Sequence, residues 1–126
     1  SGESLSLYDK VYIGQSHVIK ELAAKNSCVF VGRCAAKILS DCENLVRVFI
    51  CAPMEQRRAR VAASYGISPA EAEKLNDKAR AAYYKKYADV EWGKVENYDL
   101  SVNTKIGTSK AADIIADYVR EVVKID

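Results

Sequence analysis

The chain has 126 residues, 49% of them hydrophobic and 29% charged, which is ordinary for one globular domain and argues against a disordered chain. Its 19 basic and 17 acidic residues leave a net charge of +2, which disfavours a nucleic-acid or membrane-surface binder that relies on bulk charge. No apolar run approaches the ~20 residues that span a bilayer, and no cationic, apolar leader opens the sequence, so a cytoplasmic protein is the expectation.

Helix and strand patterns alternate along the chain. Apolar periodicity with capping residues at the ends predicts helices over 9–25, 35–39, 53–65, 68–87 and 109–124. Short, continuously apolar runs predict strands over 28–31, 46–51 and 98–103. Alternation of this kind predicts an α/β fold in three layers, a parallel sheet with helices on both of its faces.

The helix over 68–87 has the clearest start signal. In S-P-A-E, Ser68 is expected to cap the helix, Pro69 to take its first position and Glu71 to bond back to the cap. Its apolar stripe is thin and its other faces are rich in lysine, so we expect the helix to be weakly held to the core and mobile. It forms the centre of a lid-like segment over about 66–95 within a single domain, 1–126.

The four cysteines show no metal-binding pattern. They are separated by six, eight and nine residues, no C-x-x-C occurs, and the single histidine, His17, is remote in sequence. We therefore expect reduced thiols and no metal site among the residues of this chain.

An arginine follows the first predicted strand directly. Arg33 comes after Gly32, and a guanidinium at the rim of a core must be paired or solvated. One reading is a surface arginine that pairs with Asp41 or Glu43. The other is a phosphate clamp, with Gly32 allowing close approach, because ligands of parallel sheets bind beyond the carboxyl ends of the strands.

Further polar side chains follow the other two predicted strands. Arg57 and Arg60 share a helix face, Asp77 and Arg80 can pair on the basic helix, and Thr104 follows the last strand. Singly, each is as well explained by a solvated, salt-bridged surface. Together they put several arginines near one sheet edge, with one pair on a mobile helix. This arrangement predicts phosphoryl transfer, in which catalysis is mostly positioning and positive charge under a closing lid.

These residues also resemble a known family. SCVFVGRCAAKIL followed by VRVFICAPMEQRRARV is similar to a stretch of cytidylate kinases, and the later sequence resembles the bacterial cytidylate kinase-like family through its DKARAAYY, WG and NYDL motifs. The resemblance runs from about Asp9 to the C-terminus. It implies a P-loop nucleoside monophosphate kinase fold that transfers the γ-phosphate of ATP to a nucleoside monophosphate, with Mg²⁺ held by residues outside this chain.

The resemblance also implies roles for individual residues. Gly32 and Arg33 would bind the acceptor phosphate, while Arg57, Arg60 and Thr104 would border the donor nucleotide.

Asp77 and Arg80 would be the catalytic lid pair, with Arg80 reaching the transferring phosphate. Cys34 stands where cytidylate kinases have an acidic residue, so the resemblance leaves the accepted base and sugar open.

The phosphate-binding loop of such kinases does not occur in the chain. None of the six glycines belongs to a G-x-x-x-x-G-K-[ST] segment. In P-loop kinases the strand before that loop lies between the strands that correspond to 28–31 and 46–51. Its loss leaves N–H and C=O groups unpaired at about 1–3 kcal/mol each. We therefore expect the chain to be the C-terminal portion of a longer protein and to be inactive by itself. The alternative is that a second copy supplies the missing strand, which would make the protein a homodimer.

A different class of function also fits the sequence. A non-catalytic nucleotide- or anion-binding module would use the same basic residues to dock a phosphorylated partner. RNA binding through the lysine-rich helix is disfavoured by the modest net charge, and no membrane partner is expected. A glycine-rich phosphate loop upstream in the parent reading frame would favour the enzyme over the module.

Overall fold

The computed structural model describes residues 5–88 and 91–123, and of residues 69–70 and 72–77 it describes the backbone alone. The elements are α1 (Leu7–Lys25), α2 (Ala35–Ile38), β1 (Val48–Cys51), α3 (Met54–Tyr65), α4 (Pro69–Ala88), β2 (Leu100–Asn103) and α5 (Thr108–Val122), with 3₁₀ turns at Val95–Asn97 and Thr104–Ile106. The chain divides into two compact units, Ser1–Leu45 and Val46–Asp126. None of the helices in the described ranges is long and apolar enough to cross a membrane.

The first unit is built on α1 and α2. Helix α1 begins at Leu7, two residues before the predicted start, because the Ser6 hydroxyl accepts a hydrogen bond from the Asp9 N–H at 3.1 Å. Its core consists of Ile19 from α1 with Ala35 and Leu39 around α2. Four partly buried residues complete this core: Ala23, Phe30, Ile38 and Leu45.

The predicted strand over 28–31 is wrong for the part of the chain that the structure describes. These residues pair with neither described strand, and the sheet there has two strands rather than three. Phe30 packs on the core of the first unit, whereas Val29 and Val31 are 93% and 90% exposed. The side chains thus alternate as in a strand, but a strand needs a neighbour to bond its backbone.

The second unit contains a small parallel sheet, as the alternation of helices and strands predicted. Strand β1 pairs with β2 from Val48 opposite Leu100 to Cys51 opposite Asn103. Both strands begin two residues later than predicted, since the Arg47 carbonyl accepts from the N–H groups of Asp99 and Leu100 at 2.8 and 3.2 Å. Helix α5 packs against β2, with Ala111 and Val102 buried. The described sheet gives a mixed α/β fold, smaller than the expected three layers.

Helices α3 and α4 pack on each other and join through the turn that the sequence predicted. Gly66 ends α3 in the left-handed conformation, with φ 65°, which suits a residue without a Cβ. The capping box is confirmed: the Ser68 hydroxyl accepts from the Glu71 N–H at 3.3 Å, and the Glu71 carboxylate accepts from the Ser68 N–H at 3.2 Å. Pro69 is the first residue of α4, as predicted.

Candidate functional site

The turn that carries Arg33 has an unusual backbone. Gly32, Arg33 and Cys34 have successive φ angles of 71°, 60° and 56°. The left-handed conformation costs a residue with a Cβ about 1–2 kcal/mol, so two of these three residues are strained. The Cys34 side chain is 1% exposed, and its carbonyl accepts from the N–H groups of Lys37 and Ile38 at 3.0 and 3.1 Å. Strain of this kind is frequent where a chain must present a group to a ligand.

Arg33 itself is exposed and lies on the wall of an open groove in the first unit. The groove has a volume of about 540 Å³, and its other lining residues are mostly apolar: Val11, Gly14, Gln15, Val18, Ile19, Phe30, Val31 and Gly32. Within the described residues neither Asp41 nor Glu43 forms an ion pair with Arg33, in contrast to the surface reading. The structure therefore leaves the guanidinium at the surface of a concave site.

Arg57 and Arg60 lie one turn apart on α3, which starts beyond the carboxyl end of β1. Arg57 is partly buried as a whole residue and its Nη1 approaches the Met54 sulfur at 3.8 Å, whereas Arg60 is exposed. Position after a parallel strand agrees with the expected place of ligand-binding residues. Their contact with a donor nucleotide stays a prediction.

Thr104 occupies the corresponding position after β2. Its side chain is buried, at 9% exposure, and its hydroxyl donates a hydrogen bond to the Cys51 carbonyl at 3.3 Å. The hydroxyl thus has a structural partner at the ends of the two strands. The predicted contact of Thr104 with the donor nucleotide stays a prediction.

Arg80 lies on α4, and its described partner is an aromatic ring. The guanidinium carbon is 5.4 Å from the centroid of the Trp92 ring, a cation–π distance. The side chain of Asp77 is outside the described residues, so the structure does not describe the predicted Asp77–Arg80 pair. Sequence reasoning used Trp92, the only tryptophan of the chain, as part of the WG motif of the resemblance but gave it no role.

An aromatic cluster holds Trp92 against the sheet. Its ring meets Phe49 of β1 edge-on at 5.3 Å between centroids, and Phe49 also contacts Tyr98 at 4.9 Å. The Tyr98 hydroxyl accepts from the Gly93 N–H at 3.2 Å. Gly93 has a φ of 84°, a backbone conformation that strains residues with a Cβ and favours glycine, and a Cβ there would lie in ordinary van der Waals contact with the Phe49 ring at 3.5 Å. The cluster connects α4 to β1 through side chains of the second unit alone.

Cys34 is unsuited to nucleophilic chemistry. Burial raises the pKa of its thiol from 9.0 to about 11, so the thiol stays protonated near neutral pH. We therefore assign Cys34 to the packing of the Gly32–Cys34 turn.

Metal ligands were expected to lie outside this chain. In residues 5–88 and 91–123, no group of three or more His, Cys, Asp or Glu side chains comes together to hold a metal ion. The Mg²⁺ cofactor and the location of its ligands stay predictions from the resemblance.

The predicted site residues belong to both units. Arg33 lies in the first unit, while Arg57, Arg60, Arg80 and Thr104 lie in the second. Within the second unit, Thr104 contacts the end of β1, and α3 follows that same end. That all five side chains meet in one site stays a prediction.

Comparison with known proteins identifies the family. Residues 2–106 match the model of the cytidylate kinase-like family. No curated protein matches the chain. The crystal structure of an uncharacterized protein from Eubacterium ventriosum ATCC 27560 is similar, with 32% sequence identity over 88% of this chain and 73% of that chain and a TM-score of 0.80. The family match covers more than half of the sequence. The chain belongs to the cytidylate kinase-like family.

Proposed function

We propose that the protein acts as a nucleoside monophosphate kinase, which transfers the γ-phosphoryl group of ATP to a nucleoside monophosphate. The family match over residues 2–106 is the observation that carries this proposal. In the reaction an oxygen of the acceptor phosphate forms a bond to the γ-phosphorus, and the bond from that phosphorus to the β,γ-bridging oxygen breaks. The charge of the transition state spreads over the equatorial oxygens, which fixed arginines stabilise.

Arg33 is the proposed ligand of the acceptor phosphate. It is exposed, stands on a strained turn behind Gly32 and faces a groove. A guanidinium presents two parallel N–H donors to a phosphate dianion, and each charge-assisted hydrogen bond contributes about 1.5–3 kcal/mol. Exposure of the side chain and strain in its backbone both support a role in binding rather than in packing.

Arg80 is the proposed stabiliser of the transferring phosphoryl group, and Asp77 is proposed to pair with it on α4. A guanidinium on a helix of the lid-like segment reaches the γ-phosphate when the lid closes and excludes water. Arg57 and Arg60 follow β1 on α3 and are proposed, with Thr104, to border the donor nucleotide.

A phosphate-binding loop must come from outside these 126 residues. We propose that a strand of the same protein that carries this loop pairs with residues 28–31. The exposure of Val29 and Val31 supports this, because valine in the middle of a parallel sheet is normally buried on both sides. The same segment would contribute the Mg²⁺ ligands. A strand from a second copy is the other candidate.

The test is a phosphotransfer assay on the full-length protein and on the 126 residues alone. ATP with Mg²⁺ is offered with each of the cytidine, uridine, adenosine and guanosine monophosphates and with the deoxy form of each. The proposal expects turnover of at least one acceptor by the full-length protein and none by the 126-residue chain. An inactive dimer of the 126-residue chain in analytical ultracentrifugation would favour a strand from a second copy, and turnover by the 126-residue chain would contradict the need for a phosphate-binding loop.

A non-catalytic nucleotide- or anion-binding module that uses the same basic residues is the second candidate, and a parent reading frame without a phosphate loop would favour it. A thermal-shift screen of the full-length protein against the same nucleotides separates the two. Selective binding raises the melting temperature in either case. Stabilisation by nucleotides without turnover of any acceptor would support the module and contradict the kinase.

A further inference from the structure

We propose that Trp92 is a positioning residue for Arg80. Its ring holds the guanidinium of the lid helix in place before the nucleotides bind, while the N–H donors of Arg80 stay available for the transferring phosphate. The inference rests on the proposed kinase function, and it adds a residue for which neither the sequence patterns nor the family match gives a role.

The contact geometry supports this role. The guanidinium carbon of Arg80 lies over the Trp92 ring at 5.4 Å from its centroid, inside the ~6 Å limit of a cation–π interaction. Tryptophan is the ring that attracts a cation most strongly. The five N–H groups of a guanidinium lie in its own plane, so a guanidinium that turns its flat face to a ring keeps these donors available. Contact with Trp92 and bidentate bonding to a phosphate are therefore compatible.

The ring is itself fixed by the sheet. Trp92 packs edge-on against Phe49, which belongs to β1. The Phe49 ring also packs against the Tyr98 ring, and this second contact holds Phe49 in place. The Gly93 N–H bonds to the Tyr98 hydroxyl, so the backbone directly after Trp92 is tied to the same cluster. The Arg80 guanidinium is therefore held in position relative to β1, although the sequence of α4 consists mostly of small and charged residues.

Such a contact has a consequence for the rate. Arginine has four side-chain torsions and loses rotamer entropy when it is held for catalysis. If the Trp92 ring already orders the arginine side chain before the nucleotides bind, less rotamer entropy is lost on reaching the transition state, and the activation barrier is lower. Because the contact is partly exposed, the effect on kcat corresponds to about a two- to fivefold change.

The first arm of the test uses the emission of Trp92 in the full-length protein. Subtracting the spectrum of Trp92→Phe isolates the signal of this tryptophan even if other tryptophans are present. Arg80→Ala is expected to shift the Trp92 emission maximum and to raise its quenching by acrylamide. Arg120→Ala is the matched control, because Arg120 is an exposed arginine that pairs with Asp117 on α5. Identical emission of Arg80→Ala and the wild type would overturn the inference.

The second arm measures kinetics in a double-mutant cycle. Trp92→Leu is expected to lower kcat about two- to fivefold with the KM values for both nucleotides unchanged, and Trp92→Phe, which keeps an aromatic face, to retain most of the rate. In an Arg80→Ala background Trp92→Leu should have no further effect, since the ring acts through that arginine. An equal loss in both backgrounds, or a loss of thermal stability with unchanged kcat, would mean that Trp92 is merely structural.

The two arms separate this inference from the proposed function. A wild-type protein without phosphotransfer would contradict the kinase proposal, and the emission of Arg80→Ala would then decide alone whether Trp92 holds Arg80. An active wild type whose kcat is insensitive to Trp92→Leu would overturn the positioning role and leave the kinase proposal intact. If Trp92→Leu fails to fold, the emission of Arg80→Ala still decides whether Trp92 contacts Arg80, and unchanged emission overturns the inference.

Discussion

The hydroxyl of Thr104 donates a hydrogen bond to the backbone carbonyl of Cys51 over 3.3 Å and so ties the carboxyl end of β2 to that of β1. The sheet has only these two strands in the described part of the chain, and the opposite end is tied by a second bond, from the Arg47 N–H to the Asp99 carboxylate at 2.7 Å. Side chains thus secure both ends of a strand pair that is too short to be stable by itself.

Thr104→Val is expected to destabilise the protein. Valine keeps the shape of threonine but offers no donor to the Cys51 carbonyl, so the free energy of unfolding should fall by about 1–3 kcal/mol. Thr104→Ser keeps the hydroxyl, so its free energy of unfolding should be closer to that of the wild type. Urea unfolding of the three proteins measures this. Because Thr104 is also proposed to border the donor nucleotide, an unchanged KM for ATP in Thr104→Val would contradict that second role.

A comparison of Arg33→Gly with Arg33→Ala should separate two effects of Arg33, the binding by its guanidinium and the strain in its backbone. Both remove the guanidinium and should raise the KM of the acceptor far more than that of ATP. Only glycine relieves the left-handed backbone, where φ is 60°, so Arg33→Gly should be more stable than Arg33→Ala by about 1 kcal/mol. Steady-state kinetics and thermal unfolding of the full-length protein test the two expectations.

A control for Arg33 is available on α1. Lys25 is an exposed cation paired with Glu21 at 3.1 Å, and Lys25→Ala removes one positive charge of the same unit without touching the groove. It should leave the KM values unchanged. Equal increases of both KM values in Arg33→Ala would count against an acceptor clamp.

Arg80→Ala should lower kcat by about a thousandfold or more, since an arginine that stabilises the transferring phosphate contributes that much in phosphoryl transfer. The KM values should change far less, because the interaction is made in the transition state. Single-turnover measurements check that the chemical step is the one affected. Arg120→Ala should keep full turnover, and an Arg80→Ala variant with wild-type turnover would remove Arg80 from the mechanism.

Cys34 should be protected from alkylation in the folded protein. Its thiol is 1% exposed, whereas Cys28 and Cys42 are exposed. Iodoacetamide at pH 8 followed by peptide mass spectrometry should modify Cys28 and Cys42 first, and Cys34 only after unfolding. Modification of Cys34 at the rate of the exposed thiols would contradict its burial.

The same burial makes stability depend on pH. The pKa of Cys34 is raised from 9.0 to about 11 on folding, so the folded state keeps a proton that the unfolded state releases first. The contribution is fully present below pH 9.0 and is lost as the pH rises toward about 11. The unfolding free energy of the wild type should therefore fall more steeply over this window than that of Cys34→Ala. If the unfolding free energies of the wild type and Cys34→Ala fell equally steeply with pH, the thiol would not titrate as expected.

Local signals in the sequence were sufficient wherever neighbouring residues determine the structure. The S-P-A-E start of α4 formed both of its reciprocal hydrogen bonds, and Gly66 ended α3 where predicted. Here the donors and acceptors lie within a few residues of one another, so their pattern is visible in the sequence. The two paired strands were also found within their predicted ranges.

Features that depend on distant residues were missed or misplaced. Residues 28–31 have the composition of a strand, but strand formation requires a neighbour that the composition does not reveal. The predicted Asp77–Arg80 pair stays a prediction, because the side chain of Asp77 lies outside the described residues, but the aromatic contact of Arg80 was missed. The described contact is with Trp92, which approaches Arg80 because Phe49 and Tyr98 hold it there. Sequence spacing gives contacts within a helix and not those that a later turn folds back onto it.

The exposed valines at positions 29 and 31 have a practical consequence for anyone who prepares the 126 residues as a fragment. Backbone groups without partners beside apolar side chains form a template onto which further copies add as intermolecular β-strands. We expect the fragment to precipitate on concentration. A charge-bearing gatekeeper such as Val29→Lys should keep it in solution at concentrations where the parent fragment scatters light.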